Sequence, residues 1–328
     1  MKSILVFSNG EKIGDGLIKL PFLYEIKRRL PDTKIYWMTN EGTTVYSDRL
    51  KNIASQYIEE IFEQVNLQFF FWNKISHKYK FEDMKFDYIL DTQKAVMRTI
   101  ALKRIQSDIF ISASAGGVFS SKKILKKDKK RKYYLEDLFE LLDLIMPRKI
   151  ESDFKIKIPE KLIQQLNNLF DKKYTYIGYA PGAGEKDKIW DINNFIEVAK
   201  YFENKKYKSV FFLGPDDAKL KIKIQNSFLN ALFPEENIHY FSGPEIVMGC
   251  TNFLSCSLSN DSGVSHMLST NNSPLVKLFG PKDSKKFTLT SPMIHTISAS
   301  NFGSKNINVI PIKNVIATIE KELSVHLK

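Results

Sequence analysis

Short apolar runs and amphipathic stretches alternate along nearly the whole chain. In the amino-terminal half, "SILVFS" (3–8), "KIYWMT" (34–39) and "FDYILDT" (86–92) are rich in β-branched and aromatic residues and read as buried strands. Between the first two lies "GLIKLPFLYEIKRRL" (16–30), where Leu17, Leu20, Leu23, Ile26 and Leu30 fall near helical spacing. Pro21 suits that helix only in a first turn or at a kink. After Pro147 the pattern pauses, and "PRKIESDFKIKIPE" reads as a linker.

A second series follows. "YTYIGYA" (174–180), "KSVFFLG" (208–214), "NIHYFSG" (237–243), "SCSLSND" (256–261) and "SPLVKLFG" (273–280) read as strands, with helical stretches at 191–204, 216–230, 245–254 and 263–271. Alternating strands and helices predict parallel sheets covered on both faces. The pattern therefore predicts two α/β halves of Rossmann type, residues 1–155 and 156–312. A last amphipathic helix over 313–328 is expected to pack back on the first half. Ligands of such sheets sit beyond the carboxyl ends of the strands. The unusual residues fall there: Gly14 and Asp15 after the first strand, "PGAGEKDKIW" after Ala180, "GPDD" after "VFFL", and Asp261 after "CSLS".

Composition narrows the class. The 328 residues are 43% hydrophobic and 26% charged, as expected of a globular protein with room for two cores. No apolar run approaches the roughly 20 residues that cross a bilayer. "MKSILVFSNGEK" reads as a first strand rather than a signal peptide. Cys250 and Cys256 fit no usual zinc or redox spacing, and a reducing cytoplasm is the expected compartment. The net charge of +12 is uneven, because "KKILKKDKKRK" (122–132) holds eight basic residues and one acid. Such a run suits a solvated loop or a surface that meets phosphorylated lipid. Nucleic acid is not expected as a partner, since no aromatic residue interleaves the run.

Asp261, Ser262 and Gly263 open a short helix. Unpaired N–H groups there favour either a capping carboxylate or a bound phosphate, and residue types alone leave both open. Val264 and His266 lie within the same turn. The loop 180–195 places Gly182, Ala183 and Gly184 after a strand, with Lys186 and Lys188 able to offset charge on a leaving diphosphate. It matches neither a P-loop nor G-x-G-x-x-G, and a tight turn with surface lysines fits it equally. Trp190 reads as a core anchor. Asp15 is either a helix-capping carboxylate or a base for an attacking hydroxyl. Asp217 is either a cap or a contact to ribose hydroxyls. No H-E-x-x-H and no D-x-D occurs, so no metal site is expected.

These residues resemble the heptosyltransferases of lipopolysaccharide core synthesis, glycosyltransferase family 9. "GDGLIKLPFLYEIKRRLPDTKIYWMT" is similar to the family's opening, "FDYILDTQKAVMRTIAL" to its "yDlvIDlqg..rs", and "YAPGAGEKDKIWDINNFIEVAKYF" to its "pGa…K.Wp.e.f..la". "FFLGPDD" resembles "ggp.E", and "SNDSGVSHMLSTNNSPLVKLFGPKD" resembles the most specific motif, "nDsG..HlA.a…P.v.lFGpt". The resemblance implies a GT-B fold, two Rossmann-like domains facing across a cleft, and metal-independent, inverting transfer from a nucleotide sugar, ADP-heptose in this family. By resemblance Asp15 is the general base and Lys188 neutralises the departing diphosphate. Gly182, Ala183, Gly184, Asp217, Asp261, Ser262, Gly263, Val264 and His266 line the donor pocket. The implied acceptor is a phosphorylated glycolipid at the inner membrane face, with residues 122–132 available for peripheral contact. The chain departs from the pattern at Asp191, which replaces a proline, at the shorter acid Asp217, and over "QVNLQFFFWNKISHKYKFEDMK" (64–85). Another nucleotide sugar, an epimerase of the same fold, or a non-catalytic polyanion-binding relative are the competing readings.

Overall fold

The computed structural model describes all residues except 125–133, 148–153, 216, 229, 272, 283–292, 327 and 328, and leaves aside the side chains of 325 and 326. Most of the basic run 122–132 thus lies outside the described residues. The chain divides into two compact units, Met1–Lys155 and Ile156–Lys328.

The first unit is a five-stranded parallel sheet. Its strands are β1 (Lys2–Phe7), β2 (Thr33–Met38), β3 (Ile58–Phe62), β4 (Lys85–Asp91) and β5 (Gln106–Ser112), in the order β3-β2-β1-β4-β5. Ile4, Leu5, Val6 and Phe7 are all fully buried. Central strands of a doubly covered sheet need no polar face, which is why β1 reads as a continuous apolar run. Around the sheet lie α1 (Ile13–Arg29), α2 (Lys51–Ala54), α3 (Val96–Leu102) and α4 (Tyr134–Asp143). Pro21 sits inside α1. It removes one ladder bond to Leu17, while the Tyr46 hydroxyl donates to the Gly16 carbonyl at 2.7 Å one residue earlier.

The second unit has the order β10-β9-β8-β6-β7, again all parallel. Its strands are β6 (Thr175–Ala180), β7 (Tyr207–Phe211), β8 (Leu254–Asn260), β9 (Leu275–Phe279) and β10 (Ile294–Ser298). Its helices are α5 (Glu160–Leu169), α6 (Ile192–Asn204), α7 (Ala218–Ser227), α8 (Gly243–Cys250), α9 (Gly263–Leu268) and α10 (Ile312–His326). Trp190, Phe195, Tyr179, Val276 and Leu278 form its core. The two sheets make the fold GT-B in type, two Rossmann-like α/β units.

The carboxy-terminal helix has a buried apolar face. Val315, Ile319 and Leu323, spaced every four residues along α10, are buried in the core of the second unit against α6, β8 and β9. One expectation is corrected, since residues 237–243 do not form a strand. After β7 the chain makes one bridge, Val210 with Leu232, and a 3₁₀ turn at Pro234–Glu236. Tyr240 then takes a left-handed φ of 71° and is exposed, and Ser242 caps α8 by accepting from Glu245 N at 3.3 Å.

Each sheet has one switch point, where successive connections leave in opposite directions: between β1 and β4, and between β6 and β8. Loops diverge there and leave room for a ligand. Among the described residues, no helix is long and apolar enough to cross a membrane.

Candidate active site

The switch point of the second unit gathers most of the singled-out residues. Asn260, the last residue of β8, is fully buried. Its Nδ2 donates to the Pro181 carbonyl at 2.7 Å and its Oδ1 accepts from Trp190 N at 3.2 Å. One side chain thereby fastens both ends of the loop that follows β6. Trp190 is itself fixed, with its ring in the core and its indole N–H donating to the Ile310 carbonyl at 3.2 Å. Asp191, in place of the family's proline, caps α6 by accepting from Asn193 N at 2.7 Å.

Within that loop a 3₁₀ turn, Lys186–Lys188, brings Lys188 to Asp261. The Lys188 Nζ lies 2.9 Å from Glu185 Oε1 and 3.9 Å from Asp261 Oδ2. Asp261 Oδ1 is held at 2.8 Å by the ammonium of Lys277, which is 3% exposed in the middle of β9. Burial depresses the Lys277 pKa, and the nearby Lys188 charge adds to that, while the bond to Asp261 opposes both. Glu185 is pulled below the usual carboxylate range by its bond to Lys188. Two ammonium groups and two carboxylates therefore balance. Glu185 is exposed, however, and an exposed pair of this kind is weak. A bound anion can displace it and claim Lys188.

Beside Asp261 the site is open. A side chain added at Gly263 or at Gly184 would meet nothing within 4 Å. The Ser262 Oγ is buried and finds no hydrogen-bond partner. Asp261 does not cap α9 in the ordinary way, since the N-cap residue is Ser262 and no side chain bonds the first turn. With six residues, α9 contributes less dipole than a long helix. The ammonium beside Asp261 at this opening is that of Lys188. Val264 and His266 are half-buried within the same helix.

Gly182 makes room for Asp217. Asp217 Oδ2 accepts from Gly214 N at 2.8 Å and lies 2.3 Å from where a Gly182 side chain would begin. The carboxylate expected at a ribose thus bonds the backbone of its own turn after β7 and occupies the space that a side chain at residue 182 would take. It also lines a cavity of about 240 Å³ with Gly214, Lys221, Phe233 and Glu235. Burial pushes the Glu235 carboxyl up to about 7.

In the first unit, Asp15 is exposed on the first turn of α1, and its Oδ2 accepts from Lys12 N at 3.3 Å. Deeper at the same switch point, the buried Lys19 ammonium bonds Glu11 at 3.0 Å and Ser8 Oγ at 2.6 Å, and Glu11 accepts from Thr44 Oγ1 at 2.7 Å. The Tyr134 hydroxyl is raised mainly by burial, with the charges of Glu11, Asp15 and Asp137 adding to it. Asp91 is pushed up by burial despite accepting from Thr99 and Ser112 at 2.6 and 2.7 Å. It is a satisfied structural carboxyl. Among the described residues, no three His, Cys, Asp or Glu side chains gather as metal ligands would.

The sequence reading did not single out Asn260, Lys277, Glu185 or Gly280. Lys277 carried a signal, a charge inside an apolar strand, which requires a buried partner. Gly280 carried none that its neighbours explain. A side chain there would come within 2.6 Å of the Asp187 carbonyl, the backbone of the turn that carries Lys188.

The glycosyltransferase family 9 (heptosyltransferase) model matches residues 75–309. The chain belongs to this family. It is accordingly a glycosyltransferase of the heptosyltransferase group. The match covers Lys188 and Asp261 and leaves Asp15 outside it. Solved structures of similar fold include a family 9 glycosyl transferase from Veillonella parvula DSM 2008 (18% identity, TM-score 0.73, 98% of this chain and 97% of that one). Escherichia coli heptosyltransferase WaaC with ADP-2-deoxy-2-fluoro heptose aligns at 16% identity and TM-score 0.69 over 97% and 99% of the two chains. The ADP-heptose lps heptosyltransferase II of E. coli aligns at 14% and 0.70 over the full length of both. No curated protein matches the sequence at a significant level.

Two substitutions test this geometry. Gly280→Ala forces the Asp187 carbonyl aside, and is expected to cost about 1–3 kcal/mol in urea unfolding and to weaken binding of anions at Lys188. Glu235 binds a proton in the folded state between pH 4.5 and about 7 that the unfolded chain has released. Stability is therefore lost as pH rises through that window. Glu235→Gln should raise stability by up to about 3 kcal/mol at pH 8 and leave it unchanged at pH 4. A gain equal at both pH values would contradict the assignment.

Proposed function

We propose that the protein is an inverting, metal-independent glycosyltransferase that moves a sugar from a nucleoside diphosphate donor, ADP-heptose, to a hydroxyl of a phosphorylated glycolipid acceptor. The observation that carries this reading is the second switch point: a lysine held beside Asp261, an unpartnered Ser262 hydroxyl and open space at Gly263. Those are the groups a diphosphate needs, a cation and a donor with room for the oxygens. That WaaC is solved with an ADP-heptose analogue supports the nucleotide.

In this reading the donor diphosphate takes Lys188 from Glu185. Loop residues 182–184, with Ser262, Gly263, Val264 and His266, line its path. Asp217 frames the nucleoside side. Asp261, neutralised by Lys277, orients Lys188 and the sugar. Asp15 removes the proton of the acceptor hydroxyl as its oxygen attacks the anomeric carbon from the face opposite the leaving group. The bond from that carbon to the phosphate oxygen breaks, and its electron pair stays on the diphosphate. Lys188 offsets the charge that develops there, a role that in other enzymes falls to a cation. Inversion follows from a single displacement. The basic run 122–132 would draw the protein to an acidic acceptor or lipid surface.

Asp15→Asn keeps an acceptor for Lys12 N, and so should leave stability unchanged while lowering kcat at least about 10²-fold. Lys188→Ala should lower kcat/KM by a similar factor, about 10²–10³. Full activity of either variant would remove its residue from the reaction. Saturating ADP or ADP-heptose should stabilise the protein by about 2–4 kcal/mol in thermal unfolding. Stabilisation by uridine or guanosine sugars alone would overturn the heptose donor.

A further inference from the structure

Residues 64–80, "QVNLQFFFWNKISHKYK", contain no acid, three lysines and one histidine. The segment leaves the core at Phe62 and Val65 and returns to it at Ile75 and Phe81, all buried in one cluster. Between them the chain presents four consecutive aromatic residues, Phe69 half-buried and the next three exposed. Phe70, Phe71 and Trp72 are 50%, 82% and 65% exposed. They hold one another: Phe70 stacks on Trp72 at 4.7 Å, Phe71 meets Trp72 edge-on at 4.8 Å, and Phe69 meets Phe70 at 5.3 Å. Isolated apolar side chains on a surface need no explanation, but a contiguous cluster of large ones does.

The backbone beneath the rings is unusually well satisfied. The guanidinium of Arg104, from the turn after α3, donates Nη1 to the carbonyls of Gln68 at 2.6 Å and Phe70 at 2.8 Å. Its Nη2 donates to the carbonyls of Phe71 at 3.3 Å and of Asn73. Asn73 N closes the turn on the Phe70 carbonyl at 3.1 Å. A loop destined for water does not need this, because water would solvate those carbonyls. A loop that enters a water-poor medium does. Lys74 and Lys80 are exposed after the aromatic turn, and between them the Lys78 ammonium donates to the Glu63 carbonyl at 3.2 Å. The nearest acids along the chain are both engaged, Glu63 with Thr44 N at 2.7 Å and Glu82 with Ile75 N at 3.4 Å.

We infer that residues 70–72 are a wedge that enters the interfacial layer of a bilayer with anionic headgroups, with Lys74 and Lys80 resting on those headgroups. Aromatic rings favour the depth between headgroup and acyl chain, and each lysine at the surface adds attraction to acidic lipid. Charge argues against a second copy of the chain as occupant, since symmetric pairing of this loop would face lysines with lysines. The proposal does not depend on the donor or the reaction assigned above, and the family match begins only at residue 75.

The protein carries its own probe. Of its three tryptophans, Trp37 and Trp190 are fully buried and Trp72 is exposed. With vesicles of phosphatidylcholine containing phosphatidylglycerol at about a third of the lipid, the full chain should cosediment, its emission should shift to the blue, and lipids brominated on the acyl chain should quench it. Trp72→Phe should abolish the quenching and keep the binding. Phe71→Ser with Trp72→Ser should weaken cosedimentation at least about tenfold at unchanged circular dichroism and thermal midpoint. Lys74→Glu with Lys80→Glu should weaken it several-fold on acidic vesicles only. The proposal falls if wild-type protein does not bind vesicles or Trp72 is not quenched. It falls equally if the serine variant binds undiminished, or if that variant dissolves an oligomer that the wild type forms.

Discussion

The buried amide of Asn260 is the constraint on which the second unit's site depends. A parallel sheet ends in backbone groups that must be paired or wetted, and the loop after β6 is long enough to wander. Asn260 takes the Pro181 carbonyl with one atom and the Trp190 N–H with another. The loop becomes a closed arch tied to the end of β8, and Lys188 on that arch is brought to Asp261, the next residue along. The Trp190 ring then plugs the arch into the core. Because a buried polar group left without its partner costs about 1–3 kcal/mol, the arrangement is close to all-or-none.

The charges on the arch follow the same logic. Lys277 is expensive in the centre of β9 and is tolerated because Asp261 pairs with it. That pairing leaves Asp261 unable to neutralise Lys188 fully, so the outer lysine leans on an exposed glutamate that an anion can replace. A site that binds a diphosphate and must later release a nucleotide needs a cation that is held but not consumed. In the function we propose, the Lys277–Asp261–Lys188–Glu185 chain is that cation's support.

Two surfaces in the first unit have different physical character. At its switch point, polar groups are buried and mutually satisfied, as with Lys19, Glu11 and Thr44. At residues 70–72, apolar groups are exposed and the carbonyls around them are satisfied internally by Arg104. The first pattern belongs to a rigid scaffold near an aqueous ligand. The second is the inverse of a soluble loop.

How much was legible beforehand divides along physical lines. Periodicity marked the buried central strands, because a strand covered on both faces must be apolar throughout, and it marked α1, α6 and α10. It missed β3, β5 and β10, which are all sheet edges with half-exposed faces. It also took "NIHYFSG" for a strand, where a left-handed Tyr240 and the Ser242 cap decide otherwise. The motif residues after β6 and β8 were visible because only certain residue types serve a tight turn, a cap or an anion. What sequence could not supply was partnership. That Asn260 rather than the glycines fixes the loop, that Gly182 makes room for Asp217, that Gly280 makes room for the Lys188 turn, and that α10 covers the second core are facts about residues tens of positions apart. Local pattern records what each residue can do alone, and only the packed chain determines which neighbour completes its hydrogen bonds and covers its apolar surface.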